Sequence, residues 1–361
     1  VRIRRSSDDA EVNVAFDSDD KVSTSSAISV VSGSTSATTL GDFLNPTYTV
    51  GTSVESASRT FNSFTANGNT GFTATKTGGG SSTGGFPYTF ATGDVISVSF
   101  DLVIADSASP TFVLSGNNMG SGSLGTGTTF TSSGSYTQEL TATSGTGTHL
   151  AFTDGNTGTF TVSNFKVTSH KAEAFVHTWY DQAGSNNAVQ ATDANQPKIA
   201  SSGALLADGL DFDGTNDELR TSTNIASSQP VTVMSVTKPD AVNKRIFESI
   251  TNTVRSFYGS SSETGLNAGA TLLSSTNAIS INNEYLQTHL FNTTSSKVFL
   301  NATESASGDG GSNAFAGNFS IGGSSALYDG TIKELILYTS NQSDNRFKIE
   351  SNINNYYNLY N

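Results

Sequence analysis

The apolar residues of this chain recur with a period of two. In the run Asp94–Ile104, Ile96, Val98, Phe100, Leu102 and Ile104 alternate with Ser97, Ser99 and Asp101. Val231–Val236 alternates in the same way. Such a rhythm turns one face of a strand to a core and the other to water, which no helix does. Thr111–Leu114, Tyr136–Ala142, His149–Phe152 and Thr159–Val167 are further candidate strands, and Gly, Ser, Thr and Asn separate them. Short strands at regular spacing with turn signals between them predict β-sandwiches. Two segments carry helical spacing instead. Ser36–Leu44 sets Leu40, Phe43 and Leu44 at i, i+3, i+4, and Asn45-Pro46 stops it. From Asp344 to Tyr360, the residues Ile349, Ile353, Tyr356 and Tyr360 form one stripe, so the chain is expected to end in a short helix.

A length of 361 residues suggests two domains. The net charge of −13 speaks against nucleic acid, which needs clustered Lys and Arg, and against anionic membrane surfaces. No run of 18 apolar residues gives a membrane span. With no cysteine, the chain has no disulfide, thiolate metal site or Cys nucleophile. It opens Val1-Arg2-Ile3-Arg4-Arg5 without Met and without a signal-peptide pattern. A processed chain, or a piece of a longer one, is expected from that opening.

Trp179-Tyr180-Asp181-Gln182-Ala183-Gly184-Ser185-Asn186-Asn187 holds the single Trp and follows the β-run Ala174–Thr178. The residues read as a buried strand end running into a polar turn. They also resemble the W-Y-D-Q-S-G-N-G-N motif of the arabinofuranosidase-B-like family, a concanavalin-A-like sandwich shared by fungal glycosidases and phage virion proteins. Val1–Asp8 resembles that family's opening strand. Gly209–Leu219, Lys297–Asn301 and Ala326–Tyr338 resemble recurrent strands of laminin-G-like and concanavalin-A-like domains. Residues 46–169, nearly free of charge, resemble jelly-roll carbohydrate-binding modules. The resemblance implies an all-β chain: a concanavalin-A-like β-sandwich from residues 1–45 and 170–361, with a jelly-roll β-sandwich inserted at 46–169.

Sugars are held by aromatic rings and by Asn, Asp and Gln hydrogen bonds. Tyr88, placed in a loop after Pro87, and Tyr136 are the candidate rings, and Asp181 and Asn186 the candidate polar partners. Asp213, Asn216 and Asp217 offer the hard oxygen ligands that a structural Ca²⁺ takes, although Asx side chains in such runs more often bond their own backbone. No other cofactor is expected. A glycosidase needs two flanking carboxyl groups. Asp211, Asp213, Asp217, Glu218, Glu284 and Glu334 are available, but nothing marks a pair, and Glu334 between Ile332 and Ile336 is as well explained by a partner on a neighbouring element. Catalytic members of the family carry adjacent cysteines near the pocket, and this chain has none. Gly80-Ser81-Ser82-Thr83-Gly84 fits the nucleophile-elbow pattern but lies in a Gly/Ser tract, read as a flexible loop without the required strand and helix. No catalytic residue is assigned.

The expectation is a non-enzymatic virion structural protein of a bacteriophage, a fibre, spike or capsid-decorating protein with lectin-like domains. Its partners would be glycans, other virion proteins and copies of itself in a homo-oligomer, at a virion surface or outside cells. The alternative is a secreted, arabinofuranosidase-like glycoside hydrolase with a binding module.

Overall fold

The computed structural model describes the chain except residues 20, 47–53, 57–60, 117–118, 120–122, 252, 261, 270–271, 276–278 and 361. The protein is nearly all β, with a helix close to its C-terminal end. Contacts divide it into two units: Ile3–Ala174 with Ala200–Leu205, and Val1–Arg2 with Phe175–Ile199 and Leu206–Asn361. The grouping differs from the expected boundaries, because residues 3–45 fall with the jelly roll. Their local tethers are visible within that unit. The helix Leu40–Leu44 is capped by the Thr39 hydroxyl and buries Leu40, Phe43 and Leu44. The buried Arg5 guanidinium lies 4.5 Å over the Phe43 ring and donates to the Phe43 carbonyl and to Asp8. Leu44 accepts the Ala172 amide, and the Asn45 carboxamide donates to the Gly203 carbonyl.

The jelly roll has two five-stranded antiparallel sheets. One runs in the order Thr128–Thr129, Thr111–Ser115, Gly147–Asp154, Ser82–Phe90, Glu55–Ser56. The other runs Gly134–Thr141, Val95–Ala105, Gly158–Lys171, Phe72–Lys76, Ser63–Ala66. Alternation sends Phe72, Phe86, Phe100, Phe112, Phe152, Phe160 and Phe165 inward, where all are buried. Their rings stack or meet edge to face: Phe86 on Phe165 at 4.0 Å, Phe100 against Phe152 at 5.0 Å.

The expected loop Gly78–Gly85 is half strand, since Ser82–Phe90 is one continuous element. Gly84 faces the Phe64 ring and Gly85 the backbone of Leu150 and Ala151, so close that neither position has room for a Cβ. These glycines are there for close approach, and they masked a strand.

In the C-terminal unit, strands of one large, mostly antiparallel sheet form two facing layers. Leu210–Asp213, Asp329–Tyr338, Val231–Pro239, Tyr285–Phe291, Ser296–Leu300 and Thr303–Gly308 form one. Ala188–Val189, Leu219–Thr221, Phe319–Ile321, Lys244–Ser249, Val254–Tyr258, Thr264–Ala268 and Leu272–Ser274 form the other. They face each other through Phe247 and Phe291, with ring centroids 6.2 Å apart, and through a polar layer. Gln287 donates to Thr237 at 2.7 Å and also bonds Tyr258 and Thr264, and the Thr237 and Tyr258 hydroxyls are 2.8 Å apart. His289, fully buried, lies 3.3 Å from the Ser256 hydroxyl.

The outer face of the first of these layers is covered by the helix Arg346–Tyr357. Ile353 packs on Met234, Val236 and Leu286, with Ile349 and Tyr357 beside it. Tyr356, expected in the apolar stripe, is 53% exposed, and Tyr357 takes the inward place. With a second layer on one side and a helix on the other, every residue from Val231 to Thr237 is buried, Thr232 and Ser235 included.

Candidate functional site

The outer face of the jelly-roll sheet centred on Val95–Ala105 carries a depression of about 270 Å³. Its lining is Ser99, Phe100, Asp101, Ser135, Tyr136, Thr137, Asn164 and Lys166. Alternation supplies most of these positions. Phe100 points into the core, so Ser99 and Asp101 point outward, as do their cross-strand neighbours Thr137 and Ser135. The third strand reaches the site through a bulge. Its register against Val95–Ala105 shifts between Ser163 and Lys166, and Asn164 has φ +53. An extra residue re-aims its neighbours: Phe165 is buried in the core, whereas Asn164 and Lys166 are exposed.

Asp101 is the hub. The Ser135 hydroxyl donates to one carboxylate oxygen, and the Asn164 carboxamide donates to the other at 2.6 Å. The Ser135 bond, then the Asn164 bond, hold the carboxyl below the usual carboxylate range, so it is an ionised acceptor at neutral pH. The Ser99 hydroxyl is shielded from solvent and has no hydrogen-bond partner among the described residues. Tyr136 donates its hydroxyl to the Ser132 carbonyl at 2.7 Å and packs its ring on Phe130 and Phe100. It therefore offers an edge rather than an open platform.

Of the four candidate sugar contacts, Tyr136 alone lines this depression. Tyr88 is corrected: it lies on the strand Ser82–Phe90, is buried, and places its hydroxyl 2.9 Å from His170 Nδ1. That histidine's Nε2 is 2.9 Å from Asp94, so the three form a buried chain. Asp181 accepts the amides of Ala183, Gly184 and Asn186, and Asn186 accepts the Thr223 amide. Asp181 thus bonds the backbone of the turn after Trp179, and Asn186 that of a distant segment. Trp179 itself is half-buried, not buried as expected, on the same face of its strand as Phe175 and His177.

The residues read as calcium ligands build an Asx turn. Asp213 accepts the Thr215 and Asn216 amides, and the buried Asp217 accepts the Asp213 amide at 3.0 Å. Burial first, opposed by that backbone bond and helped by neighbouring Asp213, pushes the Asp217 carboxyl up to about 7. No group of three His, Cys, Asp or Glu that could hold a metal occurs among the described residues. Among the candidate carboxyls, Asp211, Asp213 and Asp217 lie near one another, and burial first, then its acidic neighbours, raise Asp211 as well. Glu334 lies under the C-terminal helix beside Tyr357, and burial raises it. Glu284 pairs with Lys333, and Glu218 with Arg220.

Sequence reasoning missed Asp101, Asn164 and Lys166. Their signal is a break in rhythm. Buried Phe160 and Val162 are followed by buried Phe165, a step of three where a strand allows two.

No protein-family model and no curated protein matches this chain. Among solved structures, it is similar to a heptameric SAP-like pentraxin from Limulus polyphemus (18% identity, 36% of this chain and 75% of that chain, TM-score 0.31). It is similar to mouse laminin alpha1 chain domains LG4-5 (9% identity, 70% and 85%, TM-score 0.32). A truncated AlyQ with CBM32 and alginate lyase domains is a third (10% identity, 81% and 98%, TM-score 0.25).

Proposed function

We propose that the chain is a non-enzymatic, lectin-like protein and that the depression around Asp101 binds glycan. One observation carries the reading: an ionised carboxylate, held in place by two donors, sits among outward hydroxyls on a rigid sheet. Sugar hydroxyls donate well to such a group, and charge-assisted hydrogen bonds are the stronger ones. The strand scaffold fixes the acceptor before the ligand arrives, so little ordering cost falls on binding. Binding isotherms against a panel of soluble oligosaccharides test it. Asp101→Ala should weaken the best ligand by at least about tenfold. An unchanged affinity would remove this site from consideration.

The finer setting we propose is the surface of a phage particle, with the chain assembled as a homo-oligomer. It rests on the resemblance of Val1–Asp8 and Trp179–Asn187 to the arabinofuranosidase-B-like family, which phage virion proteins share with fungal glycosidases. Peptide mapping of purified particles and light scattering of the pure chain test the two parts. A monomer found in no particle would leave a free extracellular lectin.

A further inference from the structure

We propose that the depression selects saccharides bearing an anionic group, a carboxylate or a sulfate, and that Lys166 reads that group. The inference rests on glycan binding at Asp101 and adds the class of ligand.

The outward face is organised in cross-strand rows. In the first, Ser135 stands opposite Asp101, and Asn164 closes the carboxylate from the third strand. In the second, Thr137 stands opposite Ser99, and Ser99 opposite Lys166. In the third, Glu139 stands opposite Ser97, and its carboxylate takes both the Ser97 hydroxyl and the Lys171 ammonium, at 3.0 and 3.3 Å. Two lysines therefore lie on one face in different electrostatic settings. Lys171 has its carboxylate. Lys166 stands among hydroxyls and, among the described residues, makes no ion pair or hydrogen bond.

Asp101 does not fill that role. Its carboxyl is lowered by the Ser135 and Asn164 bonds, with no contribution from a lysine. Both its oxygens already hold donors. The site thus presents a compensated carboxylate suited to ligand hydroxyls and, one row away, an uncompensated cation. In a chain of net charge −13, a bare ammonium inside a depression is the one local feature that favours an anion over a neutral sugar. The step between rows is two residues, about 7 Å along the strand. One or two linked sugar rings can reach a hydroxyl contact at Asp101 and an acid contact at Lys166. Ser99 stands opposite both Thr137 and Lys166 in the middle row.

The test uses the full chain and three probes: oligogalacturonate, its fully methyl-esterified form, and a sulfated galactan oligosaccharide. Calorimetric titration should show at least one acidic probe binding about tenfold tighter than the ester. The preference should disappear at about 0.5 M salt, where exposed charges are screened. Lys166→Gln should remove the preference for acid over ester, and Lys166→Arg should retain it. Lys166 is exposed, and circular dichroism checks that the variants keep the fold. Equal affinity for acid and ester, or a preference that survives in Lys166→Gln, overturns the inference. A neutral glycan that binds through Asp101 without any acid preference overturns this inference alone. No binding by any probe or by the neutral panel overturns the glycan site as well.

Discussion

Between its facing sheets the jelly roll holds Phe rings, whereas the C-terminal unit holds Gln287, Tyr258, Thr237, Thr264, His289 and Ser256 among its apolar residues. Both are antiparallel sandwiches. In the first, the interior is held by area and shape, which tolerate many arrangements of similar volume. In the second, part of the interior is held by directional bonds, each of which leaves an unsatisfied partner if broken. The same architecture is thus specified in two ways, and the two ways should fail differently.

The largest effect should come from emptying the aromatic interior. Phe152→Ala leaves a cavity among Phe72, Phe100, Phe112 and Phe165 and should cost about 3–5 kcal/mol in denaturant unfolding, with Phe152→Leu well below that. Equal costs for the two would show that ring geometry, not volume, sets this core. Next is the polar layer. Gln287→Leu is close in size but takes one partner each from the Tyr258, Thr237 and Thr264 hydroxyls, and should cost about 1–3 kcal/mol. A neutral Gln287→Leu would erase the contrast between the units.

The contrast should also be visible in pH. Burial lowers His289 from 6.5 to about 3, so the fold holds it neutral. Its contribution is complete above pH 6.5 and is lost as pH falls toward 3. Asp217 is raised from 3.8 to about 7, so its contribution is complete below about pH 4 and is lost as pH rises to 7. Between about pH 4 and 6.5 the two slopes oppose each other, one proton each, and should nearly cancel. Asp217→Asn should unmask a stability that rises with pH by up to about 1.4 kcal/mol per unit in that window. It should stabilise the protein by about 1–2 kcal/mol at pH 8 and not at pH 4. A gain independent of pH would show that Asp217 stays ionised in the fold. The smallest effect belongs to the sheet's outer face. Asp101→Ala should shift stability by less than about 0.5 kcal/mol while the proposed binding weakens by about tenfold or more. A larger loss of stability would mean that Asp101 ties the three strands together.

The two interiors also differ in how far the sequence discloses them. Phe100 between Ser99 and Asp101 is a direct signature of a half-buried strand, and the jelly roll follows from several such runs. The polar layer was hidden because Thr237, Gln287 and Thr264 look like outward residues. Only their partners on other strands, up to 50 residues away, make them inward ones. Tyr88 was misplaced for the same reason: its partner His170 is 82 positions distant. At the site, Tyr136 was legible as an aromatic in a polar strand. Asn164 and Lys166 depend on a bulge, and a bulge is a change of phase that residue types alone do not announce.

That bulge has an evolutionary consequence. In a strand of strict alternation, insertion or loss of one position turns the whole remainder over. By absorbing one residue at Asn164, and shifting again between Val167 and Ser169, the strand Gly158–Lys171 changes phase twice, and Phe165 returns to the core after the first interruption. Position 166 is thereby free to drift through Lys, Arg, Asn or Ser without touching a Phe ring, whereas the left-handed backbone at 164 keeps that position to Asn, Asp or Gly. On the proposed glycan reading, specificity can be rewritten at codon 166 while the fold stays under unchanged selection.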